Sequence, residues 1–220
     1  MKIAAFNVLR LGWNKVNKED VRDIIIEIMS EYSVVLLLEV RTGGGHGTAP
    51  NTLMTMEITE GIHTACCAVN LWDRRVDRRS LSTSTERKKS WFDPGPHQTN
   101  GHRSGADALH DVVEDVRERW QNDNIMILGD FNADRPYLSN EKKETLSISS
   151  APYHWLIDDD VNTMTSNNNK HAYDRIVVYG ERMLEAIVPD SAKAYNFKEE
   201  LNLTQEQVRL MFRGIVGTMR

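Results

Sequence analysis

A run of four residues, Gly-Asp-Phe-Asn at 129–132, places a carboxylate and an amide at a spacing that suits phosphate chemistry. The run directly follows the apolar residues 125–128, which have the character of a buried strand. Asp130 and Asn132 are two positions apart, so in extended chain their side chains share one face. The carboxylate can hold a cation or a protonated partner, and the amide can donate to a phosphate oxygen. A plain Gly-Asp-Asn turn would explain the same residues.

Further polar residues stand at the ends of other apolar runs. Asn7 and Glu39 each directly follow such a run, and Asp174 lies just before another. Taken singly, Asn7 is a turn residue and Glu39 is the first solvated residue after a core segment. Asp174 beside Arg175 would be a strand-edge ion pair of little energetic value. Strands of one sheet can bring such ends together. Asn7, Glu39, Asp174 and the Gly-Asp-Phe-Asn run are therefore candidates for one shared site.

The apolar pattern predicts the elements that would position these groups. Short continuous apolar runs predict buried strands at residues 3–6, 34–38, 125–128 and 176–179. Asn17 is predicted to cap a helix that runs to about Tyr32, with Asp20 at its third position. The apolar face of that helix comprises Val21, Ile24, Ile25 and Ile28, and a second helix is predicted by Leu109, Val112, Val113, Val116 and Trp120. Strands and helices that alternate on both sides of the middle segment indicate an α/β domain.

The composition is that of a single globular domain. The 220 residues suffice for a substantial core, and a hydrophobic share of 40% with a charged share of 27% is ordinary. The net charge of −5 gives no overall basic footprint, although a cation held by carboxylates can still meet a phosphate. The adjacent residues Cys66 and Cys67 are not expected to form a disulfide. No apolar run could span a bilayer, and the N-terminal residues lack the apolar stretch of a secretory signal.

Residues 42–105 depart from this pattern. The segment opens with a glycine triplet after Thr42 and shows neither a helical nor a strand period. A structureless loop of this length is improbable inside a compact domain. We therefore expect an atypical segment that is either disordered or misread from its coding sequence.

Several stretches resemble the deoxyribonuclease I family, and they occur in the family's order. Residues 2–7, Lys-Ile-Ala-Ala-Phe-Asn, resemble the opening of the mature enzyme, and residues 38–41 and 129–133 resemble its next two motifs. The resemblance continues through 155–157, 172–177, 188–192 and 196–197, and covers 2–41 and about 106–207. Gly-Asp-Phe-Asn is shared with the wider endonuclease/exonuclease/phosphatase superfamily, whereas the opening hexapeptide and Ala-Tyr-Asp-Arg-Ile-Val are specific to this branch.

This resemblance implies a fold and a reaction. The fold would be α/β (α+β), a four-layer αββα sandwich formed by one domain over 1–220. The reaction would be metal-dependent hydrolysis of phosphodiester bonds in double-stranded DNA by an extracellular monomer, with catalytic Mg²⁺ and structural Ca²⁺. The chain as written, which has no signal peptide, would be cytoplasmic.

The resemblance also implies roles for individual residues. Catalysis would fall to Asn7, Glu39, Asp130, Asn132 and Asp174, and the metal would be held by Glu39 and Asp130. DNA would be contacted by Arg41, Asn7, Asn132 and Tyr173, with Arg41 in the minor groove. Asp174 would orient a catalytic histidine.

The sequence departs from the family in its proton-transfer groups. The family uses two histidine–carboxylate pairs, in a His-(Thr/Ala)-x-Pro stretch and a Ser-Asp-His motif, and neither motif is present here. Because such a group typically contributes about 10²–10⁴-fold to the rate, we expect little or no activity. Arg135 and His171 stand in place of the family's long-range cysteine pair, and Met164 stands in place of a threonine near the expected Ca²⁺ site.

These observations leave several hypotheses open. The chain is an active endodeoxyribonuclease, a catalytically dead relative that binds DNA or actin, or the product of a frame-shifted or misassembled gene model. Residues 68–72 and 96–100 can each be encoded by bases that give family sequence in another frame, and sequencing of the transcript tests this. Another phosphodiesterase of the same superfamily is a further alternative.

Overall fold

The structure, a computed structural model, describes residues 1–40, 52–55, 65–70, 105–131, 144–165, 171–211 and 214–219. Within these ranges the strands are β1 (Lys2–Leu11), β2 (Val34–Val40), β3 (Thr52–Thr55), β4 (Ala65–Asn70), β5 (Ile125–Asp130), β6 (Tyr153–Trp155), β7 (Asp174–Tyr179), β8 (Lys193–Ala194) and β9 (Gly214–Met219). The helices are α1 (Trp13–Val16), α2 (Glu19–Ser30), α3 (Gly105–Trp120), α4 (Glu181–Glu185), α5 (Phe197–Glu200) and α6 (Gln205–Met211). Among the helices of these ranges, none is both long and apolar enough to cross a membrane.

The described strands form two sheets. The first has the order β3-β2-β1-β9-β8, and the second has the order β4-β5-β7-β6. β1 runs parallel to β2 and antiparallel to β9, while β5 runs parallel to β4 and antiparallel to β7. β1 and β5 therefore lie inside their sheets, which explains why both are read from the sequence as continuous apolar runs.

Three apolar clusters show that the sheets and helices stack in four layers. Alternate residues of β1 point to opposite sides of the first sheet. Ile3 and Ala5 face the second sheet, whereas Ala4 and Phe6 face α2. The cluster between the sheets joins Leu36 and Leu38 with Met126, Leu128, Ile176 and Val178. The outer clusters seat α2 on the first sheet and α3 on the second. The predicted four-layer αββα sandwich is confirmed.

The predicted N-cap of α2 is wrong by one residue. Residues 13–16 form the short helix α1, whose end is Asn17, because the Asn17 N–H donates to the Trp13 carbonyl at 3.1 Å. Lys18 then has extended backbone and precedes α2, which begins at Glu19 without a side-chain cap. The buried residues of α2 are the predicted ones, Val21, Ile24, Ile25 and Ile28.

Two strands lie inside the segment 42–105. β3 pairs antiparallel with β2, and β4 pairs parallel with β5 from Ala65 opposite Ile125 to Asn70 opposite Asp130. The rest of this segment up to residue 104 lies outside the described residues. Its interpretation as disordered or misread, and the assignment of 1–220 to one domain, stay predictions.

Gly217 in β9 is a point of close approach in the first sheet. A Cβ at this position would lie 2.7 Å from Cε1 of Tyr32 and 3.0 Å from the Ile3 carbonyl oxygen. We expect Gly217→Ala to lower the free energy of unfolding by about 1–3 kcal/mol, the usual cost of overpacking. Urea unfolding measures the change. The double variant with Tyr32→Leu removes the ring that the new methyl group meets, so it should lose less than the two single variants added together. An alanine variant as stable as the parent would contradict the contact.

Candidate active site

The candidate site lies where β1 and β2 leave their regular pairing. The parallel register runs from Ile3 opposite Val34 to Asn7 opposite Leu38, and resumes only with Leu11 opposite Val40. Residues 8–10 of β1 therefore lie opposite the single residue Glu39 of β2. Such bulges bend a strand and redirect its side chains, and they recur beside active sites.

Glu39 adopts an unusual backbone conformation inside this irregularity. Its φ of 60° lies in the left-handed region, which a residue with a Cβ adopts at a cost. By strict alternation Glu39 would share the face of Val35 and Leu37, which pack against α2. Its carboxylate instead contacts Asn7, whose place in the alternation is on the opposite face with Ile3 and Ala5. The left-handed residue thus brings the carboxylate to the site.

Asn7 joins the carboxylates of the two sheets through one amide. Its side chain is fully buried, and Nδ2 donates to Oε1 of Glu39 at 3.1 Å and to Oδ2 of Asp130 at 3.2 Å. Its Oδ1 accepts from the Leu9 backbone N–H at 3.0 Å. Asn7 lies on β1 and Asp130 on β5, so this amide connects the two sheets at one end of the sandwich.

The site concentrates negative charge where water is scarce. Asp130 is 2% exposed, and Asp174, equally buried, lies directly opposite it in the β5–β7 ladder. Opposed side chains of an antiparallel ladder come within about 5 Å, and like charges there are unfavourable. A bound cation or proton would relieve that repulsion.

The oxygen atoms of Glu39 and Asp130 fit a hard divalent cation. Mg²⁺ is usually bound by one or two carboxylates, and water and substrate phosphate complete its shell. In the described part of the chain, no group of three or more His, Cys, Asp or Glu side chains gathers as a metal site would, so this site offers two carboxylates and not a complete set of protein ligands. Glu39 and Asp130 are therefore the candidate metal ligands.

The hydroxyl of Thr163, a residue that was not proposed for the site from the sequence, contacts the backbone of Asp174. The Asp174 N–H donates to the Thr163 hydroxyl at 3.1 Å, and that hydroxyl donates to the His171 carbonyl at 3.1 Å. The Tyr173 carbonyl accepts from the Phe131 N–H at 2.9 Å, and the Tyr173 ring stacks on His171 with centroids 4.8 Å apart. Thr163 is one polar residue among several in its stretch, so only its place beside Asp174 distinguishes it.

Lys15 is a further residue that the sequence did not reveal. Its Nζ donates to the carbonyls of Val8 and Leu9 at 2.8 and 2.9 Å. Burial lowers the pKa of the Lys15 ammonium to about 8, although the nearby Glu39 carboxylate opposes that shift. A lysine in a polar stretch is usually solvated, and nothing in its local sequence sets this one apart.

The structure brings together most of the residues proposed for catalysis. Asn7, Glu39 and Asp130 are in direct contact, and Asp174 is the ladder partner of Asp130. Arg41 and Asn132 lie outside the described residues. The roles given to each residue in catalysis, metal binding and DNA contact stay predictions.

Comparison with known proteins identifies the relatives of this chain. Deoxyribonuclease-1-like 2 of Mus musculus is 30% identical over 251 residues, which cover 94% of this chain and 86% of the relative. The chain belongs to the deoxyribonuclease I family. Deoxyribonuclease-1 of Oryctolagus cuniculus is 27% identical over 247 residues (94% of this chain, 87% of the relative), and the Homo sapiens protein is 28% identical over 247 residues (94% and 86%). Membership places this chain among nucleases at the level of the family.

Two other comparisons bear on the family assignment. No protein-family model matches the chain. Among solved structures, the endonuclease domain of TRAS1, a telomere-specific non-LTR retrotransposon, superposes with a TM-score of 0.51. The match covers 100% of this chain and 98% of that domain at 14% identity, so it supports the fold of the deoxyribonuclease I family alone.

Proposed function

We propose that this chain is a slow, metal-dependent endodeoxyribonuclease that acts on double-stranded DNA. The observation that carries the proposal is the buried amide of Asn7, which holds a carboxylate from each sheet at 3.1 and 3.2 Å. Structural stability alone gives no reason to gather like charges in this way. A site in which these carboxylates hold a cation against a DNA phosphate would explain the arrangement.

Glu39 and Asp130 are the residues that would hold Mg²⁺ in this proposal. When bound, the ion would neutralise the charge that develops on a phosphate during hydrolysis. Asn7 would hold both carboxylates at fixed positions, so that little reorganisation is required when substrate binds. Its predicted contact with DNA is a separate proposal, because Nδ2 already donates to Glu39 and Asp130 and Oδ1 already accepts from the Leu9 N–H.

The proposed slowness follows from the missing proton-transfer motifs. Neither histidine motif of the family is in the sequence. Of the described histidines, His110 shares a hydrogen bond of 2.8 Å with the Tyr153 hydroxyl, His154 lies 3.3 Å from Glu181, and His171 stacks on the Tyr173 ring. Hydrolysis would then rely on positioning and on electrostatic stabilisation, which act without a general base.

Nicking of supercoiled plasmid DNA tests the proposal. We expect the purified chain to convert supercoiled plasmid to the open circular form slowly in Mg²⁺ and Ca²⁺, and excess chelator should stop the reaction. Restoring Mg²⁺ alone should restore part of the activity. A preparation of the Asp130→Asn variant, purified in parallel, controls for a contaminating nuclease and should show no nicking above background. Chelator-resistant nicking, or equal nicking by the variant, would refute the proposal.

A catalytically dead DNA-binding relative is the second candidate. The absence of both histidine motifs favours it. Fluorescence anisotropy with a labelled duplex distinguishes the candidates: this one predicts Mg²⁺-dependent binding without any cleavage over long incubation, whereas the first predicts binding followed by accumulation of nicked product.

A further inference from the structure

Residues 8–10 of β1 form a bend that requires an explanation. Leu9 and Arg10 both have left-handed backbone, with φ values of 47° and 56°. Glycine, asparagine and aspartate adopt this conformation most readily, and neither residue is one of them. Surrounding contacts must therefore hold the bend in place.

Lys15 makes contacts that can hold this bend. Its Nζ donates to the Val8 carbonyl at 2.8 Å and to the Leu9 carbonyl at 2.9 Å, so one ammonium group grips two successive peptide groups. Lys15 belongs to α1, whose backbone is anchored at Gly12 by N–H groups of Lys15 and Val16 at 2.9 and 3.0 Å. Hydrogen bonds from a charged donor are stronger than neutral ones.

The bend in turn orients the amide of Asn7. The Leu9 N–H donates to Oδ1 of Asn7, which leaves Nδ2 to face Glu39 and Asp130. The reverse orientation would turn the amide oxygen toward two carboxylates, which cannot donate to it when ionised. A chain of hydrogen bonds therefore runs from Lys15 through the bend to the candidate metal ligands.

We propose that Lys15 is a positioning residue for the cation site. By holding the bend at Val8 and Leu9, it fixes the orientation of the Asn7 amide, which contacts Glu39 and Asp130. The inference rests on the proposed cation site. In this proposal Lys15 acts through the backbone carbonyls of the bend, so it is a positioning residue and not a catalytic one.

The direction in which cation affinity changes when Lys15 is substituted distinguishes a positioning role from a purely electrostatic one. Loss of a positive charge near a cation site should strengthen cation binding by Coulomb's law. Loss of a positioning residue should weaken it, by about 10–100-fold if Lys15 acts as outer-shell partners of metal ligands commonly do. The two roles predict opposite changes in affinity.

Mn²⁺ binding by isothermal titration calorimetry makes this measurement without relying on activity. We expect Lys15→Met to weaken Mn²⁺ binding and Lys15→Arg, which keeps charge and donors, to restore most of it. The matched control is Lys18→Met, which removes an exposed lysine three positions away and should leave affinity unchanged or slightly higher. Lys15→Met with parent or tighter affinity would overturn the proposal.

Two further outcomes are informative. Thermal unfolding establishes whether Lys15→Met is folded; if it is not, Lys15→Gln replaces it, since its polar side chain is one bond shorter and should not contact both carbonyls as the Lys15 ammonium does. Affinity roughly tenfold weaker in that variant supports the proposal, and parent affinity overturns it.

A parent chain that binds no Mn²⁺ removes the proposed cation site itself, and the inference with it. Parent binding that the Lys15 variants leave unchanged removes the inference alone.

Discussion

Asp130→Asn is expected to reduce cation binding and DNA cleavage strongly while leaving the fold intact. The substitution removes one charge with almost no change of shape, and the new amide oxygen can still accept from Nδ2 of Asn7, now 3.2 Å from the Asp130 carboxylate. We expect cleavage to fall by roughly 10²–10³-fold, the typical effect of deleting one electrostatic contributor to a transition state. Mn²⁺ affinity should fall by at least the roughly 10–100-fold that loss of an outer-shell partner costs.

The same substitution should raise stability in the absence of cations. Asp130 is buried opposite Asp174 and shares the Asn7 amide with Glu39, so its charge is opposed by like charges on two sides. Urea unfolding in chelator should therefore show a higher midpoint for the variant than for the parent. Added Mg²⁺ should stabilise the parent only, because a ligand that binds the native state shifts unfolding by mass action.

Asp160→Asn is the matched control for Asp130→Asn. Asp160 is an exposed carboxylate in a turn, so its loss changes net charge equally without touching the site. It should leave cation affinity, cleavage and stability close to those of the parent. An Asp130→Asn variant that keeps cation affinity and cleavage would show that the carboxylates gathered at Asn7 have another role.

The layered fold could be predicted from the sequence because burial leaves a periodic pattern. Apolar runs marked β1, β2, β5 and β7, and helical spacing marked the buried face of α2. These patterns record which residues avoid water, and that property is local. The order of strands within a sheet depends on pairing between distant segments, so it came from the structure.

The site was harder to predict, because it depends on departures from regular structure. Period-two alternation assigns Glu39 to the face of α2, and only its left-handed backbone turns the carboxylate toward Asn7. Lys15 acts through carbonyls of residues 8 and 9, which no side-chain pattern marks. Asn7, Glu39 and Asp130, which the structure brings into contact, were nevertheless candidates from the sequence, because polar residues at strand ends are visible there.

Arg175 shows how a local interpretation can underestimate a residue. Taken singly in the sequence, Arg175 beside Asp174 would form a strand-edge ion pair of little energetic value. The structure instead leaves Arg175 1% exposed, with Nε donating to the Ala172 carbonyl at 2.7 Å and Nη1 to the Ile157 carbonyl at 2.8 Å. Its ion pair with Asp159 joins it to a carboxylate side chain that is 57% exposed.

Arg175→Met is expected to be the most destabilising substitution considered for this protein. Methionine keeps much of the volume but leaves the buried carbonyls of Ala172 and Ile157 without their donors. Each such loss costs about 1–3 kcal/mol, so the free energy of unfolding should fall by about 2–6 kcal/mol. Urea unfolding of purified protein measures the change.

Asp159→Asn separates the two possible sources of this energy. If the ion pair stabilises the fold, removing its exposed partner should cost nearly as much as removing Arg175. If the buried carbonyls matter, Asp159→Asn should cost less than about 1 kcal/mol, as expected for an ion pair whose carboxylate is open to solvent. We expect the second result, since solvent screens Asp159 but cannot reach the carbonyls.

Mn²⁺ binding gives a second measurement. Arg175 holds the Ala172 carbonyl two residues before Asp174, which lies opposite Asp130, so Arg175→Met should also weaken Mn²⁺ binding in the folded fraction, whereas Asp159→Asn should not. Equal losses of stability in both variants would show instead that the ion pair with Asp159 is the main source of the stabilisation.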